Sequence, residues 1–307
     1  MARTVDANPW RETLLSMKRL IPILSLFLIA CHSAPKSESE VIYVSIAPLK
    51  YVVEQIADST ARIEGLVPET SSPESFEPTI QQVRDLANAS MYITTGLLDF
   101  ERALAAKIPE IAPQTAIVNL SEGIDVLEGS CSHNHGTDDA HGGHGVDPHI
   151  WLSPRLVAGM GQAIAARLGS LHPQSASVYD NRAKLLAQRI DSLDNHIQQQ
   201  LSQAKRRSFA IGHTSLSYFA QDYGLEQIAV EVDGKEPSVK AMKALIDTLQ
   251  GRGVRTVLYQ LQTSDAAART IARELPGGRA VVFDPMSEAW LENMYRLADT
   301  LQVILNE

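Results

Sequence analysis

Short apolar runs alternate with longer amphipathic stretches along most of the chain. In the first half, runs rich in β-branched residues predict buried strands at 41–47, 61–67, 90–96 and 116–120. Apolar positions spaced three or four residues apart predict helices between them, at 49–58, 77–89 and 100–108. This alternation is typical of parallel βα units, which build α/β domains.

The second half repeats this rhythm without repeating the sequence itself. Strands are predicted at 208–212, 226–232, 255–261 and 279–285. Helices are predicted between the strands and at the C-terminus, at 215–224, 238–251, 264–275 and 291–305. The pattern therefore predicts two α/β lobes, an N-terminal lobe over 41–172 and a C-terminal lobe over 207–307, each built on a parallel sheet.

One long helical pattern joins the two halves. No glycine or proline occurs from Gln174 to Arg206, and a second helical pattern at 154–171 precedes it. One apolar face recurs at steps of three or four residues: Leu186, Ile190, Leu193, Ile197 and Leu201. Because a flexible linker needs residues such as glycine, we expect 173–206 to be one rigid connecting helix. A rigid connection predicts small movements of the lobes instead of wide hinge closure.

The first 31 residues have the pattern of a bacterial lipoprotein signal. A basic pair precedes the apolar stretch 20–30, which is too short to span a bilayer. The stretch ends in Leu-Ile-Ala-Cys, which resembles a lipobox, and a polar tether follows over 32–40. We expect Cys31 to be lipidated and to anchor the mature chain in a membrane. A plain cleavable signal with an incidental cysteine is the alternative.

Composition narrows the class of protein further. The chain has 307 residues, of which 44% are hydrophobic and 21% are charged, as in ordinary globular proteins. The formal net charge of −9 and the lack of a basic stripe argue against a nucleic-acid partner. Besides Cys31 only Cys131 would remain after signal removal, so no intrachain disulfide framework is expected. We expect a monomer.

A histidine tract occupies 129–146. Four histidines lie there among Gly, Ser, Asn and Asp, a composition that cannot build a packed core: His133, His135, His141 and His144. Since neutral imidazole is a common zinc ligand, the tract predicts auxiliary metal binding. Cys131 is either a further ligand there or an ordinary loop cysteine. His149 differs, because it follows Pro148 and leads into an apolar Ile-Trp-Leu.

Further polar residues follow the predicted strands, where ligands gather in doubly wound domains. Glu74 lies in the Pro-rich loop after the second strand, and His213 directly follows the strand at 208–212. Asp284 ends the last strand. Taken alone, each has an ordinary structural explanation, such as a hydrogen-bonded histidine or an Asp-Pro turn. Together with His149, they suit one divalent cation bound by two imidazoles and two carboxylates.

These motifs resemble those of the metal-binding solute-binding proteins of ABC importers, the zinc and manganese group. The resemblance runs from Val41 to Glu307. It implies that His149 in "DPHIWLSP" and His213 in "GHTSLSYFAQDYGL" are metal ligands, and that Asp284 in "VVFDPM" is the acidic ligand. "EVDGKEPS" resembles a further signature of this group. A histidine-rich loop just before the motif that contains His149 is frequent among its zinc importers.

One position departs from that family. Its first motif reads Pro-His-x-Tyr/Phe-Glu-Pro, whereas this chain has "PESFEP", so that Glu74 stands where histidine is expected. Either Glu74 is a carboxylate ligand, or three protein ligands and water hold the metal, with Ser75 and Glu77 as weaker candidates. A carboxylate oxygen is a harder ligand than an imidazole nitrogen, so manganese and iron remain alternatives to zinc as the bound metal. The histidine tract favours zinc.

The resemblance implies a lipid-anchored receptor, facing the periplasm or exposed at the cell surface, that captures Zn²⁺ as cargo and passes it to an ABC permease. Such a receptor is not an enzyme. A zinc-dependent hydrolase is the first rival, with Glu77 or Glu231 as general base, although no His-Glu-x-x-His motif occurs. A surface metal store or adhesin that uses the histidine tract as its main site is the second.

Overall fold

Eight strands form two four-stranded sheets with the same strand order. The first sheet has the order β2-β1-β3-β4 and the second β6-β5-β7-β8, and every neighbouring pair is parallel. The strands are β1 (Val41–Ile46), β2 (Arg62–Val67), β3 (Met91–Thr94), β4 (Ala116–Asn119), β5 (Ser208–Ile211), β6 (Glu226–Ala229), β7 (Thr256–Gln260) and β8 (Arg279–Phe283). All eight predicted strands are confirmed, and so is the α/β class with two parallel-sheet lobes.

The computed structural model describes residues 1–2, 40–57, 59, 61–129, 145–231 and 237–307. The predictions for Cys31, Cys131 and the tract histidines His133, His135, His141 and His144 lie outside these residues. Glu40–Glu307 form one compact unit. Within the described part of the chain, no helix combines the length and the apolar character that crossing a membrane requires.

Nine α-helices connect the strands in the described residues. They are α1 (Ala47–Ile56), α2 (Ile80–Leu86), α3 (Asp99–Ile111), α4 (Pro154–Leu171), α5 (Ala176–Ser202), α6 (Ser217–Tyr223), α7 (Val239–Gly251), α8 (Ala266–Glu274) and α9 (Trp290–Asn306). In each sheet the second strand in the chain lies on one side of the first, and the third strand lies on the other side. The carboxyl ends of these strands therefore open a crevice in each lobe.

Helix α5 is the predicted connection between the lobes. It has 27 residues, which gives a length of about 40 Å, and its buried face contains all five apolar residues predicted for it. The helix is shorter than the predicted 173–206. Pro173–Ser175 form a separate tight turn, and at the other end the Arg206 amide donates to the Leu305 carbonyl at 3.1 Å, which ties the chain to the end of α9.

A pair of buried tryptophans joins the lobes next to the crevice. Trp151 Nε1 donates to the Pro285 carbonyl at 2.9 Å, and Trp290 Nε1 donates to the Trp151 carbonyl at 2.8 Å. Both side chains belong to a single apolar core that includes residues of both lobes. The lobes are thus held together by shared packing as well as by α5, which fits a rigid molecule.

Candidate metal centre

Glu74 lies in a loop that is anchored at both ends. The loop leaves β2, forms a tight turn at Pro73–Ser75, and leads into α2 through a capping box formed by Thr79 and Gln82. Gln82 Nε2 also donates to the Leu66 carbonyl at 2.8 Å, which ties the start of α2 back to β2. The Glu74 side chain is 17% exposed. The fixed loop ends limit the positions that this carboxylate can take.

His149 is held by the turn that precedes α4. Both its backbone amide, at 2.9 Å, and its ring Nδ1, at 2.8 Å, contact Asp147 Oδ1. Both residues are buried. Burial acts to raise the pKa of the Asp147 carboxyl, but the electrostatic and hydrogen-bonding contacts with His149, together with a hydrogen bond from Ser217, outweigh it and leave the pKa below its usual value. Asp147 is therefore a carboxylate that fixes the His149 ring with Nε2 turned away from it.

His213 is held in a corresponding way in the second lobe. It follows β5, is buried, and has its Nδ1 3.1 Å from Glu231 Oε2. Its backbone carbonyl accepts a hydrogen bond of 3.4 Å from Gln260, which also donates to Ser215 at 2.6 Å. The result is a second histidine whose Nδ1 faces a carboxylate and whose Nε2 points into the crevice.

The two histidines converge on Glu74. Glu74 Oε1 lies 3.1 Å from His213 Nε2 and 3.5 Å from His149 Nε2, and the two ring centroids are 5.4 Å apart. One ligand atom from each of these residues lies within 4.8 Å of the other two. The group draws on both lobes, as the strand-end argument predicted.

The arrangement of ring nitrogens and carboxylate oxygens in this group suits a bound cation. Each ring nitrogen of His149 and His213 faces a carboxylate oxygen. A neutral imidazole has only one N–H, and a carboxylate only accepts. If each neutral ring donates its Nδ1–H to Asp147 or Glu231, the lone pairs of both Nε2 atoms face Glu74. A dication placed between the two Nε2 atoms and Glu74 Oε1 would contact all three. Carboxylates behind ligating histidines are also the usual means of orienting metal ligands.

Asp284 is not part of this group. It directly follows β8, and its Oδ1 accepts hydrogen bonds from Gln262 Nε2 at 2.7 Å and from the Met286 amide at 3.0 Å. Ser75 and Glu77 are also outside the group and exposed to solvent. The structure thus brings together three of the four predicted ligands, and metal coordination by all four stays a prediction.

Comparison with known proteins places the chain in a family. The family model described as zinc-uptake complex component A, periplasmic (ZnuA), matches residues 42–303. The chain belongs to the ZnuA family. This confirms the predicted resemblance. Glu231, one of the two bases considered for a hydrolase, contacts Nδ1 of His213.

Similar proteins share the fold over most of the chain. A crystal structure of ZnuA is 32% identical, has a TM-score of 0.80, and covers 87% of this chain and 99% of its own. A zinc-bound ZnuA deletion mutant is 31% identical with a TM-score of 0.79, and covers 88% and 99%. The zinc-binding lipoprotein AdcA of Streptococcus pneumoniae is 27% identical over 87% of this chain and 54% of AdcA. The chain therefore spans about half the length of the curated AdcA relatives that it matches.

Two carboxylates of the centre were not recognised from the sequence as supports of the histidines. Asp147 could have been found, because an aspartate two residues before a histidine can accept from its backbone in a turn. Glu231 ends a predicted strand, but its pairing with His213 depends on β6 lying beside β5, which the sequence pattern does not reveal.

Proposed function

We propose that this chain is an extracytoplasmic receptor that captures one Zn²⁺ between its lobes and delivers it to an ABC permease. The observation that carries the proposal is the convergence of His149 Nε2, His213 Nε2 and Glu74 Oε1 in one buried cluster. The metal is the cargo. Asp284 or a water molecule supplies the fourth position of a tetrahedral site, the geometry zinc prefers.

The donor set supports zinc and keeps manganese or iron as the alternative. Imidazole suits Zn²⁺ and Fe²⁺, whereas each carboxylate shifts the site towards harder ions such as Mn²⁺. The relative AdcA is named as zinc-binding, and the similar ZnuA mutant structure is described as zinc-bound. Zinc is therefore the first candidate for the cargo of this chain.

The histidine tract is proposed as an auxiliary metal-binding loop beside this centre. Gly129 and Gly145, at the two ends of the tract, line a small cavity of about 120 Å³ together with Glu74 and His149. Glu128 and Val146 pair as antiparallel neighbours at the same place. Both ends of the tract thus lie at a cavity that reaches two of the three clustered residues.

The cellular setting is also a proposal. Cys31 would carry the lipid anchor, residues 32–40 would form the tether, and β1 begins at Val41, directly after it. A monomer anchored in this way, facing the periplasm or exposed at the cell surface, would present its cargo to a membrane permease. The relative AdcA is named a lipoprotein.

The proposal is tested by the metal content of the protein purified from the envelope of its own host without added metal. We expect one zinc per chain at the crevice, and its loss in a His213→Ala variant. Manganese or iron in place of zinc would identify the alternative cargo. Metal that survives the His213→Ala substitution and disappears when the tract is deleted would instead support a metal store.

A further inference from the structure

Tyr218 links the second lobe to the loop that carries His149. It belongs to α6, lies five residues after His213 in the chain, and is 4% exposed. Its hydroxyl donates to the Asp147 carbonyl at 2.8 Å and accepts from the Leu127 amide at 3.0 Å. One hydroxyl of the second lobe therefore contacts the first lobe on both sides of the histidine tract.

The hydroxyl completes a backbone pair at the neck of the tract. The Asp147 amide donates directly to the Leu127 carbonyl at 2.8 Å, and Glu128 pairs with Val146 next to them. The reciprocal bond, from the Leu127 amide to the Asp147 carbonyl, is replaced by the bridge through Tyr218. Burial raises the pKa of Tyr218 to about 12, so the hydroxyl keeps the proton with which it donates to Asp147.

We infer that Tyr218 is a positioning residue for His149, and that it acts through Asp147. The backbone carbonyl of Asp147 receives the Tyr218 hydroxyl, while its carboxylate receives the backbone amide and Nδ1 of His149. Fixing the carbonyl fixes the peptide from which that carboxylate projects. One short segment of the second lobe, residues 213–218, therefore contains one histidine of the cluster and the residue that positions the other. The inference rests on the proposed metal centre for its effect on metal binding.

The test is Tyr218→Phe, with Tyr223→Phe as a matched control. Tyr223 lies on the same helix and is also buried, but its hydroxyl donates to Asp194 at 2.8 Å, away from the tract. In the metal-free protein, ¹⁵N NMR of the imidazole rings reports which nitrogen carries the proton. Tyr218→Phe should change the His149 signals, leave those of His213 in place, and speed zinc dissociation about tenfold, the lower end for loss of an orienting partner. Tyr223→Phe should do neither.

A double-mutant cycle separates positioning from general loosening. In an Asp147→Asn background Tyr218→Phe should have little further effect on zinc dissociation, because both changes act on one connection. Fully additive effects, an unchanged His149 ring in Tyr218→Phe, or equal effects of Tyr218→Phe and Tyr223→Phe would each overturn the inference. If the wild-type protein binds no zinc but Tyr218→Phe still changes the His149 signals, the positioning role stands and the proposed function is contradicted.

Discussion

Glu74 Oε1 lies 3.1 Å from His213 Nε2, although the two residues belong to different lobes. The contact joins the loop after β2 to the end of β5 and makes the crevice a single site. Glu74 stands at the position where the family motif has histidine, so the lobes meet through a carboxylate and an imidazole. We therefore expect the choice of metal at this centre to depend on Glu74 more than on any other clustered residue.

Exchange of Glu74 tests that dependence. Glu74→Ala should weaken binding of both Zn²⁺ and Mn²⁺, because one charged ligand is lost. Glu74→His should restore zinc binding and raise the ratio of zinc to manganese affinity, since imidazole nitrogen favours the softer ion. Competition titrations with both ions measure the ratio. Glu77→Ala is the control from the same loop, and a ratio that is the same in all variants would make Glu74 a bystander.

The carboxylates behind the histidines should matter nearly as much as the ligands. Asp147→Asn and Glu231→Gln each remove a charged acceptor for an Nδ1–H, and we expect zinc affinity to fall roughly 10- to 100-fold. Isothermal titration of each variant measures the loss. Glu226→Gln is a suitable control, because Glu226 is an exposed carboxylate that bonds Ser208 and Arg252. Affinities equal to the wild type would show that the rings are oriented by other contacts.

Asp284 is the proposed fourth ligand. If it coordinates the metal, Asp284→Asn should weaken zinc binding by at least tenfold, because a charged oxygen is exchanged for a neutral one. Asp265→Asn, at an exposed ion pair with Arg269, is the control. Wild-type affinity in Asp284→Asn would mean that three protein ligands and water hold the ion.

Removal of the histidine tract separates a receptor from a store. Deletion of residues 132–144 leaves Gly129 and Gly145, which pair through the Gly129 amide and the Gly145 carbonyl. We expect the shortened protein to keep one tightly bound zinc per chain and to lose only weaker sites, as measured by elemental analysis after dialysis. Loss of the tight ion would identify the tract as the main site.

The lipid anchor is tested at Cys31. A Cys31→Ser variant should leave the membrane fraction or remain unprocessed, while the purified domain binds zinc as before, because the anchor lies outside the metal centre. Fractionation and mass spectrometry of the N-terminus follow both effects. Wild-type protein without lipid on Cys31 would show that the segment is an ordinary cleavable signal.

The fold and three members of the centre could be predicted from the sequence, because both follow local rules. The apolar periods locate the strands and helices, and polar residues after strand ends point to Glu74, His149 and His213. Contacts between lobes follow no local rule. The Trp151–Trp290 contact and the Tyr218 bridge form only when the two lobes pack together. The Glu231–His213 pair lies within the second lobe, but it forms only because β6 lies beside β5 in the sheet.

The central claim is that a single metal ion binds between Glu74, His149 and His213. Anomalous diffraction at the zinc edge, from crystals of protein loaded with one equivalent of Zn²⁺, tests it most directly. We expect one dominant peak within about 2.0–2.2 Å of His149 Nε2, His213 Nε2 and a Glu74 oxygen. A dominant peak elsewhere, or a peak bound by the histidines with Glu74 turned away, would contradict it.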